Sequence, residues 1–263
     1  IGPIYFTAIR MLLGFVSLTP FVIVVFRKHK GDKQYFKTAF TGGAVCGFLT
    51  AIPCILQQIG LLYTTAGKAG FITSLYILIV PIFSMFLGKK VSIRVWIFID
   101  LAAVGAALLC GNASGAINKG DLLVLCCAFL FAIQIMFIDY FTKKLEGIDL
   151  SALQFLFGGL FSLVIAMCTE TLSFVQVKDS IIPILYTGIV SCAVAYSLQI
   201  IGQKYVSPAK ATLPLSLENA WSAVGGAVIL HQFMTTRELI GCIIMFISVI
   251  MAQVDFRKFF KRK

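Results

Sequence analysis

Nine long apolar runs divide this chain, near residues 3–26, 38–61, 70–88, 95–111, 120–141, 150–169, 181–203, 210–230 and 237–256. Each approaches the roughly 20 residues that a helix needs to cross a bilayer core about 30 Å thick. The connections are short; only 27–37, 111–121 and 169–180 amount to real loops. With 59% apolar residues and a mean hydropathy of +0.97, the chain carries more apolar surface than a soluble fold of this size could bury. The runs are continuous rather than alternating, which excludes a transmembrane β-barrel. The expected fold is therefore all-α: a polytopic helical membrane protein with nine transmembrane helices.

The charges orient it. The net charge of +11 would suggest nucleic acid in a soluble protein, but no nucleic-acid partner is expected for a chain embedded in the lipid bilayer. If the nine runs alternate across the membrane, one side receives 17 Lys and Arg and the other four, with Arg10 inside the first run. The positive-inside rule then places the richer side, including the basic tail 257–263, in the cytoplasm. The tail's aromatics interleave with Lys and Arg and could touch anionic headgroups, although a stop-and-orient signal accounts for the same residues. The expected location is the cell inner (plasma) membrane, multi-pass, with the C-terminus cytoplasmic.

The chain repeats itself. LQQIGLLYTTAGKAGFITSL (56–75) and LQIIGQKYVSPAKATLPLSL (198–217) coincide at Gln57/Gln199, Gly60/Gly202, Tyr63/Tyr205, Lys68/Lys210 and Ser74/Ser216 when displaced by 142 positions. TAIRMLLG (7–14) similarly matches SALQFLFG (151–158) at Ala8/Ala152, Leu12/Leu156 and Gly14/Gly158. The first repeat supplies four helices and the second five. The helix 120–141 has no counterpart, so the expectation is a full-length protein of ten helices whose first precedes Ile1. The domains read as 1–111, a first repeat lacking its first helix, and 120–256, a complete second repeat. Five helices per repeat give the two repeats opposite orientations, an arrangement that secondary transporters use to exchange outward-open and inward-open states.

These features resemble the drug/metabolite transporter superfamily, and within it the EamA-type transporters, over nearly the whole chain. The resemblance rests on the paired five-helix repeats and on two repeated patterns. The first is TTAGKAGFITSLYILIVPIFSMFLGKK against VSPAKATLPLSLENAWSAVGGAVILHQ; the second is RVWIFIDLAAVGAALL against RELIGCIIMFISVIMA. It implies a basket of ten helices around a substrate cavity, lined by helices of the kind at 3–26, 70–88, 120–141, 150–169 and 210–230 and by the absent first helix. It also implies export of amino acids, metabolites or drugs. The chain departs from the family pattern in two places. Asn219 replaces the proline of S-L-E-P, and neither LGKK nor LHQF carries the usual glutamate.

Several intramembrane polar residues are candidates for substrate binding or coupling. Glu218 lies mid-run, where a carboxylate costs about 2.5–3.5 kcal/mol on insertion scales. It could meet a cationic group or carry a coupling proton, or serve as a structural acid. Tyr76 is its mirror in the first repeat. Asn219 and Trp221 follow Glu218, and Trp221 shares its helix face. Arg10 could pair with a substrate carboxylate or snorkel to the interface; Gln154 is its mirror. Gln134 is intramembrane and suited to cross-helix hydrogen bonds. Asp100 reads as a packed polar group or ion-pair partner, Asp139 as interfacial, His231 as solvated, and Lys68 and Lys210 as helix caps or headgroup anchors. Pro81 and Pro214 interrupt their helices and are hinge candidates. Gly43-x-x-x-Gly47 and AAVGAA (102–107) permit close helix approach, by default within the chain, although such faces could also pair two copies as a homodimer. The eight cysteines show no ligand spacing and read as small apolar packers.

There is no phosphate loop, metal-ligand cluster or paired nucleophile and base, so neither an enzyme nor a cofactor or metal is expected. The function that fits is a secondary, non-ATP transporter exporting small organic metabolites or amino acids by alternating access. The alternatives are a membrane scaffold, a membrane-embedded enzyme, or a nucleotide-sugar or drug carrier of the same superfamily.

Overall fold

A computed structural model describes residues 1–86, 93–110, 118–205 and 221–253. Every regular element in these residues is a helix. In chain order they are α1 (Pro3–Lys28), α2 (Lys33–Gly60), α3 (Ala66–Thr73), α4 (Tyr76–Phe86), α5 (Ile93–Cys110), α6 (Lys119–Thr142), α7 (Gly147–Thr169), α8 (Phe174–Asp179), α9 (Ile181–Tyr205), α10 (221–229) and α11 (Thr236–Gln253). Among the described residues, α1, α2, Ala66–Phe83, α6, α7 and α9 are long and apolar enough to cross a membrane, and Trp96–Leu109 is a shorter apolar helix. The protein is thus a polytopic helical membrane protein.

Two expected runs take a different local form. The run 70–88 is two helices, interrupted at Ser74 and Leu75. The Ser74 hydroxyl donates to the Phe71 carbonyl at 2.5 Å, and Ile77 N–H turns to the Ser74 carbonyl at 2.9 Å. A serine's local hydrogen bonds offer the backbone an alternative to the helix ladder. Pro81, the expected interruption, lies inside the continuous α4. In α9, Tyr186–Tyr196 is π-helical, a wider winding often found at functional sites.

The chain divides into two compact units, Ile1–Ile59 with Ile133–Pro208 and Gly60–Ala132 with Ala209–Lys263. Each draws on both sequence halves.

In the first unit, α1 lies along α7. Pro3 opens α1 at its first position, where its missing N–H is no loss. The next free backbone donors, Ile4 and Tyr5 N–H, are taken by the Glu170 carboxylate at 3.0 and 2.9 Å. A carboxylate at a helix N-terminus also complements the helix dipole. Glycines set the crossings: Gly47 of α2 faces the backbone of Gln154 and Gly158 on α7, and Gly14 of α1 faces Cys192 and Gly188 on α9. The first of these uses the Gly43-x-x-x-Gly47 face within the chain, as small-residue faces permit. Around it, Ile138, Phe141, Leu150, Leu153 and Ile200 form a buried core. At one end, the Tyr35 hydroxyl donates to Asp149 at 2.7 Å and accepts from Glu146 N–H at 3.2 Å, while its ring stacks on His29.

In the second unit, α5 and α11 cross where Gly105 meets Gly241, so the AAVGAA run also packs internally. Phe71, Ile72, Leu109, Val124 and Met245 form its core. Helix starts are capped by short polar side chains. Asn118 accepts from Gly120 N–H at 3.0 Å. Thr235 and Glu238 form a reciprocal capping box: Glu238 N–H donates to the Thr235 hydroxyl at 3.4 Å, and Thr235 N–H donates to the Glu238 carboxylate at 2.7 Å.

Candidate functional site

The first unit buries polar side chains within its membrane-spanning helices. Arg10 turns inward from α1. Its guanidinium hydrogen-bonds the Cys54 thiol of α2 and lies beside Cys192 and Tyr196 of the π-helical stretch. Cys54 also meets the Tyr196 hydroxyl. The Phe6 ring lies 5.9 Å from Arg10 Cζ. Arg10 Nε is buried without a hydrogen-bond partner.

The ion pairs among the described residues are Lys68 with Glu238, Lys143 with Asp139, and Lys204 with Glu146, so none neutralises Arg10. In the same unit Asp149 is engaged by Tyr35, and Glu170 by the start of α1. A cation removed from water without a counter-ion costs several kcal/mol. Arg10 as a whole is half-buried, with its Nε fully enclosed.

Sequence equivalence organises the surroundings. Thr50 and Cys192 are related by the 142-residue displacement, as are Cys54 and Tyr196; Arg10 and Gln154 are related by 144. Thr50 and Cys54 share one face of α2 at a spacing of four. Gln154 is fully buried, and neither its amide oxygen nor its nitrogen has a partner. Gln134 of α6 donates to the Thr50 hydroxyl at 2.7 Å, and that hydroxyl donates to the Cys46 carbonyl at 2.7 Å. The Ser151 and Ser197 hydroxyls bond at 2.7 Å, and Phe155 meets the Tyr196 ring edge-on at 5.8 Å.

Of the expected site residues, Arg10, Gln134 and Gln154 thus belong to the first unit. Tyr76 belongs to the second, buried with its ring edge-on to Phe131 at 6.4 Å. Trp221 is also in the second unit and is 72% exposed. Glu218, Asn219, Pro214 and Lys210 lie outside the described residues. Lys68 is an ion-pair partner rather than a headgroup anchor, 2.5 Å from Glu238. Asp100 is exposed on α5. Asp139 is buried and paired with Lys143 at 2.8 Å. His231 is exposed at a positive φ of 53° just beyond α10.

Sequence reasoning missed Thr50, Cys54, Cys192 and Tyr196. Cys46 is an apolar packer as expected, in the core cluster of the first unit. Cys54 and Cys192 instead flank a cation. The signal that finds them is the same displacement that reveals the repeat, carried from Arg10 and Gln154 onto the two neighbouring helices.

Chemically, the first unit offers one planar cation with an unused donor beside neutral thiol and hydroxyl groups, and one amide with unused donor and acceptor capacity. An inward guanidinium presents paired N–H groups suited to a carboxylate.

Known proteins support this reading of the architecture. A protein of Archaeoglobus fulgidus described as an uncharacterized transporter is 28% identical over 254 residues, 96% of this chain and 77% of that protein. A crystal structure shares the fold with a TM-score of 0.70 at 17% identity, covering 98% of this chain and 90% of that one. The family model for EamA-like transporters matches residues 1–111 and 118–253. With both stretches matched, the chain belongs to the EamA-like transporter family.

Proposed function

We propose that this EamA-like membrane protein is a secondary transporter that moves small organic metabolites or amino acids by alternating access between two inverted five-helix repeats.

 The single observation that carries this reading is the set of polar side chains within the spans of the first unit that fall at equivalent positions of the two repeats: Arg10 and Gln154, Thr50 and Cys192, and Cys54 and Tyr196. Binding at the interface of opposed repeats is the common design of such carriers. The division into compact units supports it, since each unit combines equivalent parts of both halves.

The full-length protein on this reading has ten helices, lies in the cell membrane and keeps its C-terminus in the cytoplasm. It acts as a carrier rather than an enzyme, driven by an ion or solute gradient rather than by ATP. Glu218 is the candidate coupling residue. The test is uptake by the full-length protein in liposomes of a labelled amino-acid and metabolite panel, with and without a proton gradient, beside Glu218→Gln. Saturable, protein-dependent uptake supports the carrier. Its absence across a broad panel counts against it, and a gradient response that survives Glu218→Gln removes the coupling role.

A further inference from the structure

We infer that Arg10 is the carboxylate-binding group of the transport site, so that the substrate class is a small organic acid with one carboxylate; this rests on the carrier reading above. Three observations carry it. First, among the described residues the half-buried guanidinium meets neutral groups: it hydrogen-bonds the Cys54 thiol, lies near Cys192 and Tyr196, and stands 5.9 Å from the centre of the Phe6 ring. Second, four carboxylates of this unit are engaged elsewhere, Asp139 by Lys143, Glu146 by Lys204, Asp149 by Tyr35 and Glu170 by the backbone of α1, and Asp32 and Asp179 lie outside its membrane-spanning helices. Third, Arg10 Nε is buried and unpartnered, and the equivalent residue on α7, Gln154, has both amide atoms buried and unpartnered.

A half-buried cation that meets no counter-ion among the described residues is suited to an anion brought from outside through charge-assisted hydrogen bonds. The charge of that anion follows from the count of cations. Among the described residues, Arg10 is the one cation of the groups that meet here, whereas the ion-paired Lys143 and Lys204 lie at helix ends. A phosphate would bring about two negative charges to a single guanidinium. A carboxylate brings one, and its two oxygens match the planar fork. The unused amide of Gln154 gives the same unit a group able to donate to or accept from a polar substituent.

The test compares acids with their carboxamides, which keep the shape and remove the charge. Melting of the purified full-length protein is followed with acetate, 4-methylpentanoate, benzoate, L-leucine and L-phenylalanine, each beside its amide. At least one acid is expected to raise the melting temperature while its amide does not. Arg10→Gln should weaken that acid's binding by roughly tenfold or more, the loss of a charge-assisted contact, and Arg10→Lys should retain part of it. The acid-to-amide comparison on the unaltered protein holds even if Arg10→Gln fails to fold. The inference is overturned if no acid stabilises the protein, if amides stabilise it as well as acids, or if a folded Arg10→Gln binds the acid unchanged. Liposome uptake separates the two readings: saturable transport of neutral or cationic solutes alone leaves the carrier standing and removes the carboxylate site.

Discussion

Gly158 lies against Gly47 so closely that a methyl group at position 158 would fall 2.9 Å from the Gly47 carbonyl oxygen. On the other helix pair, a methyl group on Gly14 would fall 2.8 Å from Cys192 Cβ and 3.3 Å from the Gly188 carbonyl oxygen. Gly14 and Gly158 are equivalent in the repeat, and Gly188 falls one residue from the position equivalent to Gly47. Each half therefore lays a helix across the other half at a glycine.

The first prediction concerns these crossings. Gly158→Ala forces backbone apart, and overpacking of this kind costs about 1–3 kcal/mol. Gly202, in α9, has nothing within 4 Å of where a methyl group would sit. Gly202→Ala should be neutral or stabilise by up to about 1 kcal/mol through helix propensity. Unfolding of the two variants in the same detergent checks this, and equal melting temperatures would contradict the tight crossing.

The second concerns the ion pair between Lys68 and Glu238, whose side chains are 14% and 17% exposed. Glu238 is doubly used, since it also closes the capping box with Thr235. Glu238→Gln should therefore cost more stability than Lys68→Met, which leaves the capping carboxylate in place. The double-mutant cycle should show a coupling of about 0.5–3 kcal/mol; a coupling near zero would mean that the pair does not form.

The third concerns Gln134 and Thr50. Thr50→Val keeps the shape but removes the hydroxyl that Gln134 donates to at 2.7 Å. Interhelical hydrogen bonds in membranes average about 0.6 kcal/mol, so the loss should be of that order when measured by unfolding. The double variant Thr50→Val with Gln134→Leu should recover part of it, because no buried amide is then left unpaired.

Much of the architecture was legible because a bilayer imposes a simple rule on sequence: a helix must be long and apolar, so the runs beginning at Pro3, Lys33, Lys119, Gly147 and Ile181 announce themselves. The break at Ser74 and the π-helical Tyr186–Tyr196 were not legible. Both arise where side-chain hydrogen bonds or close crossings compete with the regular ladder, and hydropathy carries no trace of that competition. Arg10, Gln134 and Gln154 stood out as polar groups in apolar runs. Cys54 and Cys192 did not, because a thiol is apolar enough to pass as packing until a cation is found beside it. Tyr76 and Trp221 were drawn towards the site by the mirror and spacing of Glu218; the structure shows one buried beside Phe131 and the other exposed.

The most direct test of the central claim is solute counterflow. Liposomes holding the full-length protein are loaded with an unlabelled acid that stabilises it, diluted, and offered a trace of the same labelled acid outside. A secondary carrier needs no ATP or added ion gradient for this exchange, so the account predicts a transient accumulation of label that requires the protein and is lost in a folded Arg10→Gln variant. No accumulation above protein-free liposomes would contradict a carrier of that acid, and accumulation undiminished in Arg10→Gln would contradict the site assigned to it.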